Sequence, residues 1–203
     1  MNFLAHIYLS PPGEDAILGS LLGDFVKGPL DRSDVKSRYG PEVTRAIALH
    51  RKIDSYTDAH PVVRMSRGRV SAHRRRFAGV MVDIFYDHFL AKYWEEFHHV
   101  PLARFTDDFY EILLRRHAEL PERLQRMASS MVDLDWLGSY ANVQSIDTTL
   151  NRMSQRLRRS NALLDSAEEL VNNYTELEKD FRRFIPDVSA FARERDESSL
   201  LMK

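Results

Sequence analysis

The stretch from Phe77 to Trp94, FAGVMVDIFYDHFLAKYW, limits what this chain can fold into more than any other. It has the length of a helix, no proline and one glycine, Gly79. On a 3.6-residue wheel its apolar residues fall on every side: Val80, Met81, Val82, Ile84, Phe85, Tyr86, Phe89, Leu90 and Tyr93. A helix that is apolar all round belongs in the middle of a protein, packed on all faces. Yet Asp83 and Asp87 sit four apart on one stripe, and His88 follows directly. A buried carboxylate is costly unless a cation meets it, and two on one stripe also repel each other. Something positive must therefore lie against this stripe. Arginine or lysine side chains would serve, and so would a metal ion.

The 203 residues suit a single domain spanning 1–203, and a hydrophobic content of 43% allows a sizeable core. The absence of cysteine excludes disulfide frameworks, thiolate zinc sites and cysteine nucleophiles, and fits the reducing cytoplasm where this protein is expected. MNFLAHIYLS has neither a basic leader nor a long apolar run, so no signal peptide is expected, and no window is apolar enough to span a membrane. A net charge of −1 names no partner.

Periodicity predicts an all-α domain of roughly seven to nine helices, with no strand. A first helix is expected over 14–27, where Gly19 and Gly23 signal close backbone approach, and Gly28-Pro29 ends it. A polar connection follows over 31–40, then a helix over 41–59 with Pro41 in its first turn. The segment 62–76 reads as a helix bent at Gly68, and it is strongly basic: Arg64, Arg67, Arg69, Arg74, Arg75 and Arg76. Beyond the central helix, amphipathic segments are expected over 101–120, 121–138, 140–159 and 163–185. Residues 187–203 read as a short helix and a frayed end.

Polar residues without an easy packing role concentrate in the first half. His50, Asp54 and Asp58 follow one another at helical steps of four, with Arg51 beside them. Imidazole and carboxylate one turn apart can grip a divalent ion, although the same spacing also makes ordinary side-chain pairs. Together with Asp83 and Asp87, two helices present acids at helical spacing and one adds histidine, which favours a shared metal centre. Asp24, in LLGDFVKG, is the natural acid from a third helix. Lys27, Arg51 and Arg76 are the cations suited to a phosphate beside a metal, if they do not simply pair with the aspartates. His6, His60 and His88 are individually weak candidates. Such a set points to metal-assisted hydrolysis of a phosphate ester. No nucleophile elbow, P-loop or GxGxxG is present.

Four blocks, NFLAHIYLS, LLGDFVKG, LHRKIDSYTDAHP and RRRFAGVMVDIFYDHFLAKYW, together resemble the acyl-carrier-protein phosphodiesterase family in order and spacing over about residues 1–95. The resemblance implies removal of the 4′-phosphopantetheine arm from holo acyl carrier protein, with a divalent cation, Mn²⁺ before Mg²⁺. It also implies distant kinship to HD-type phosphohydrolases, although their adjacent His-Asp pair is not evident here. Carried onto this chain, it suggests His6, Asp24, His50, Asp54, Asp83 and Asp87 as metal ligands. Catalytic roles fall to Asp58, His60, His88, Lys27, Arg51 and Arg76. Carrier proteins are acidic, so Arg64, Arg67, Arg69, Arg74 and Arg75 are expected to dock the partner. Two other readings stay open: a phosphohydrolase of nucleotides or small phosphoesters, and a non-enzymatic nucleic-acid-binding module with aspartates paired to arginines.

Overall fold

A computed structural model of the protein describes residues 1–157 and 161–200, and their side chains except those at 34, 36 and 198–200. Among the described residues there are eleven α-helices, three short 3-10 turns and no strand. The helices are α1 (Phe3–Tyr8), α2 (Glu14–Leu22), α3 (Ser33–Ala59), α4 (Pro61–Arg69), α5 (Ala78–Lys92), α6 (Leu102–Arg115), α7 (Glu122–Asp133), α8 (Trp136–Ser139), α9 (Val143–Gln155), α10 (Ala167–Asn172) and α11 (Tyr174–Leu200). No helix is long and apolar enough to cross a membrane.

The all-round apolar pattern of α5 is matched by its position. Helices α1, α4, α8, α9 and α11 all pack against it. Met81, Val82, Phe85, Phe89 and Leu90 are wholly buried. Each such side chain stabilises the fold by about 1.5–3 kcal/mol. The tightest helix pair is α2 against α3. A β-carbon at Gly19 would come within 2.5 Å of both the Ala46 side chain and the Val43 carbonyl, so only glycine admits this approach.

Several boundaries differ from expectation. Helix α2 ends at Leu22, and residues 23–25 form a turn closed by Phe25 N–H on the Leu22 carbonyl. The expected polar connection over 31–40 is helical from Ser33, anchored by buried Val35 and Tyr39 one turn apart. The chain kinks at Gly40, whose φ of 72° suits glycine, and Pro41 restarts the helix. The basic segment does not bend at Gly68. It breaks at Val70, which is extended and buried, and resumes as a 3-10 turn over Ala72–Phe77.

At the C-terminal end, the expected short helix and frayed tail are instead the continuation of α11. Phe181, Phe184, Ile185, Val188 and Ala192 give it one buried face. Pro186 lies inside this helix on its exposed side, where water can satisfy the carbonyl the proline frees. Residues 158–159 of the expected 140–159 helix, and 201–203 of the tail, lie outside the described residues.

Candidate metal centre

Three segments converge at one end of the bundle. Helix α1 supplies His6, the turn after α2 supplies Asp24, and α3 supplies His50 and Asp54 one turn apart. His6 and His50 are buried and their rings stack, with centroids 3.6 Å apart. His6 Nε2 lies 3.0 Å from Asp54 Oδ1. His50 Nε2 lies 3.1 Å from Asp54 Oδ2 and 3.7 Å from Asp24 Oδ1. One ligand atom each from His6, His50 and Asp54 fall within 4.8 Å of one another. Ligands held at about 2.1 Å from one ion stand roughly 3–4 Å apart, so a small inward movement closes this set around a divalent cation.

The protonation of His50 can be argued from its neighbours. Its Nδ1 is 2.7 Å from the Ser20 carbonyl. A carbonyl only accepts, so Nδ1 carries the proton and donates it. In the neutral ring Nε2 is then a lone pair aimed between two carboxylates. It is buried and makes no aligned hydrogen bond, and His6 Nδ1 is buried and unpartnered as well. A proton or a metal ion can satisfy a lone pair facing anions. Burial works against charging this ring, but Asp24 and Asp54 outweigh it and raise His50 to about 9. Burial dominates at His6 and lowers it to about 4, despite its bond to Asp54. Burial also works against charge on Asp54, but the two imidazoles hold it well below the usual carboxylate range. The donor set, two imidazoles with one or two carboxylates and a carbonyl orienting one ring, suits a divalent metal ion. The ring is also wedged in place: a β-carbon at Gly23 would come within 2.2 Å of His50.

The acids of α5 divide. Asp87 is fully buried, and its two oxygens accept from the backbone N–H groups of Leu4 (2.9 Å) and Ala5 (3.1 Å), tying α1 onto α5. Burial raises Asp87 to about 7 against the pull of those amides. Asp83 is partly exposed, and its Oδ1 lies 3.2 Å from the Met1 α-amino group. The same amino group is 3.7 Å from Asp54 Oδ1. Thus imidazoles, an amino group and backbone amides meet Asp54, Asp83 and Asp87.

The other expected site residues are placed elsewhere. Asp58 is exposed and pairs with Arg67. His60 packs on Phe184 and lies 3.4 Å from Asp187 of α11. His88 Nδ1 is 2.8 Å from the Tyr140 carbonyl and its Nε2 is 2.8 Å from the Tyr174 hydroxyl. Neither histidine joins the group of His6, His50 and Asp54. Arg51 donates to the carbonyls of Val26 (2.7 Å) and Gly28 (2.8 Å). It therefore fixes the segment that carries Asp24 and does not reach toward the acids. Lys27 and Arg76 are exposed.

The arginines of the basic segment divide between internal pairs and the surface. Arg69 Nε is 2.7 Å from Asp180, and Arg74 pairs with Glu168 and Glu169, so both arginines clamp the C-terminal helices. Arg64 and Arg75 remain exposed. A cleft of about 320 Å³ opens beside the cluster. Asp24 and Asp83 line it, together with apolar side chains from α1, α7 and α9. Sequence reasoning missed the orienting Ser20 carbonyl, the Met1 amino group and this cleft. None leaves a motif, because each depends on contacts between distant segments.

The description "Acyl carrier protein phosphodiesterase" belongs to the family model that matches residues 1–188. An acyl carrier protein phosphodiesterase of Serratia proteamaculans (strain 568) is 34% identical, covering 96% of this chain and 99% of the relative. That of Escherichia coli O6:H1 is 35% identical over 92% of this chain and 94% of the relative. That of Pectobacterium atrosepticum is 32% identical over 95% and 98%. No solved structure matches the chain. The match therefore extends well past the four blocks of the first half, and the chain belongs to the acyl carrier protein phosphodiesterase family.

Proposed function

We propose that this protein hydrolyses the phosphodiester of holo acyl carrier protein, giving the apo-protein and 4′-phosphopantetheine, with a divalent cation, Mn²⁺ before Mg²⁺. Water forms the new bond to phosphorus, the bond to the carrier serine oxygen breaks, and that oxygen takes a proton. His6, His50 and Asp54 hold the cation, with Asp24 as a fourth donor. When bound, the cation activates water and neutralises phosphoryl charge. The chain's own part is to hold the donors still. The Ser20 carbonyl aims His50 Nε2 into the cluster, and Arg51 fixes the turn that bears Asp24. Asp83, on the cleft wall, orients the water and substrate. Lys27, exposed three residues beyond Asp24, is placed to meet phosphate oxygens from outside. The reading includes distant kinship to the HD-type phosphohydrolases and a cytoplasmic setting.

One observation carries it: a buried imidazole nitrogen aimed between two carboxylates without an aligned hydrogen bond, at a cluster whose Asp24 also lines a cleft of about 320 Å³. Mass spectrometry of holo carrier protein incubated with the enzyme and Mn²⁺ should show loss of the arm, abolished by chelator. An arm that stays intact, with turnover of nucleotides or small phosphoesters instead, would replace this reading with the broader phosphohydrolase one.

A further inference from the structure

Several arginines outside the cleft are neutralised within the fold. Arg45 pairs with Glu42, Arg67 with Asp58, Arg69 with Asp180, Arg74 with Glu168, Arg116 with Glu119 and Arg182 with Glu96. Arg123 of α7 and Arg152 and Arg156 at the end of α9 differ. All three are exposed and line the same cleft as Asp24 and Asp83, and none makes an ion pair among the described residues. Arg123 lies over the Phe25 ring at 5.8 Å, a contact that leaves its charge available. One opening is therefore lined by two acids, of which Asp24 reaches the His50 ring, by apolar walls, and by three exposed positive charges.

From this placement, and resting on the function proposed above, we propose that Arg123, Arg152 and Arg156 bind the acidic body of the carrier protein at the cleft mouth while its phosphorylated arm runs inward. Opposite charges at a rim steer encounter and fix orientation. The arms of an extended substrate then match the cleft in order: anionic protein outside, phosphodiester at the cation site. The basic segment over 64–76 has spent Arg67, Arg69 and Arg74 on internal pairs and is the weaker docking candidate.

The test is binding of holo acyl carrier protein to metal-free enzyme by calorimetry, at low and moderate salt. Reversing the three charges (R123E, R152E, R156E) should weaken binding at least about tenfold and flatten its salt dependence, with helical content and Mn²⁺ affinity unchanged. Unchanged binding, or an equal loss on reversing Arg64, Arg75 and Arg76 instead, would overturn the assignment. Tight, rim-dependent binding without loss of the arm would leave this docking surface standing and refute the hydrolytic reading.

Discussion

Two acid clusters, one on buried Asp180 and one on half-exposed Asp54 beneath two buried imidazoles, are finished differently. Around Asp180, one oxygen accepts from Ser66 Oγ at 2.9 Å and from Arg69 Nε at 2.7 Å, and the other lies 3.3 Å from Arg69 Nη2. The Tyr86 hydroxyl shares the Ser66 Oγ at 2.8 Å. A guanidinium fork neutralises the carboxylate and no donor is left over, so the cluster is a clamp between α4, α5 and α11. Around Asp54 the partners are two stacked imidazoles and an amino group, and two ring nitrogens remain without aligned partners. A buried acid is therefore not a sign of a site by itself. Incomplete satisfaction, combined with donors of metal-binding type, is the distinguishing feature.

The sharpest way to break that contrast is His50→Ala. It should reduce Mn²⁺ affinity and carrier-protein turnover by more than about 100-fold with the helical spectrum intact, measured by calorimetry and mass spectrometry. Retained metal binding would make the Asp54 cluster another clamp. Asp180→Ala should do the opposite. Loss of the clamp should cost about 2 kcal/mol in denaturant unfolding, because Arg69 is partly exposed and can recover water, while Mn²⁺ affinity stays the same. The smallest effect is in protons. Folding raises His50 from 6.5 to about 9, so its contribution to metal-free stability is fully present below about 6.5 and is lost as pH rises through about 9. Near neutral pH the metal must displace that proton. Calorimetry in buffers of different ionisation enthalpy should show about one proton released per Mn²⁺ bound, declining to none above the His50 value.

The fold was largely legible because α5 breaks the usual helix pattern: apolar on all faces, yet carrying two acids. The pairing of His50 with Asp54 was legible too, as a spacing of four on one helix, and Gly19 and Gly23 announced close backbone approach. What Asp83 and Asp87 face was not. Asp87 is spent on the amides of α1, a tertiary capping contact spanning 83 positions that no pattern on α5 announces. The pairings of the arginines were not legible for a similar reason. Arg69 belongs to Asp180, 111 positions away, and Arg74 to Glu168, so two members of a basic run in sequence became clamps in space. His60 and His88 resemble site residues in sequence because they neighbour aspartates, but their rings are committed to α11 and to the Tyr140 carbonyl.

The contact of Gly23 with the His50 imidazole has a consequence for anyone wishing to toughen this protein. Glycine-to-alanine replacement is a common route to a stiffer chain. At this position an added methyl would have no room and would shove the ring off its line of aim. Rigidity and reactivity are coupled through a single hydrogen atom there, so thermostabilised versions will have to gain their resilience from the far side of the bundle.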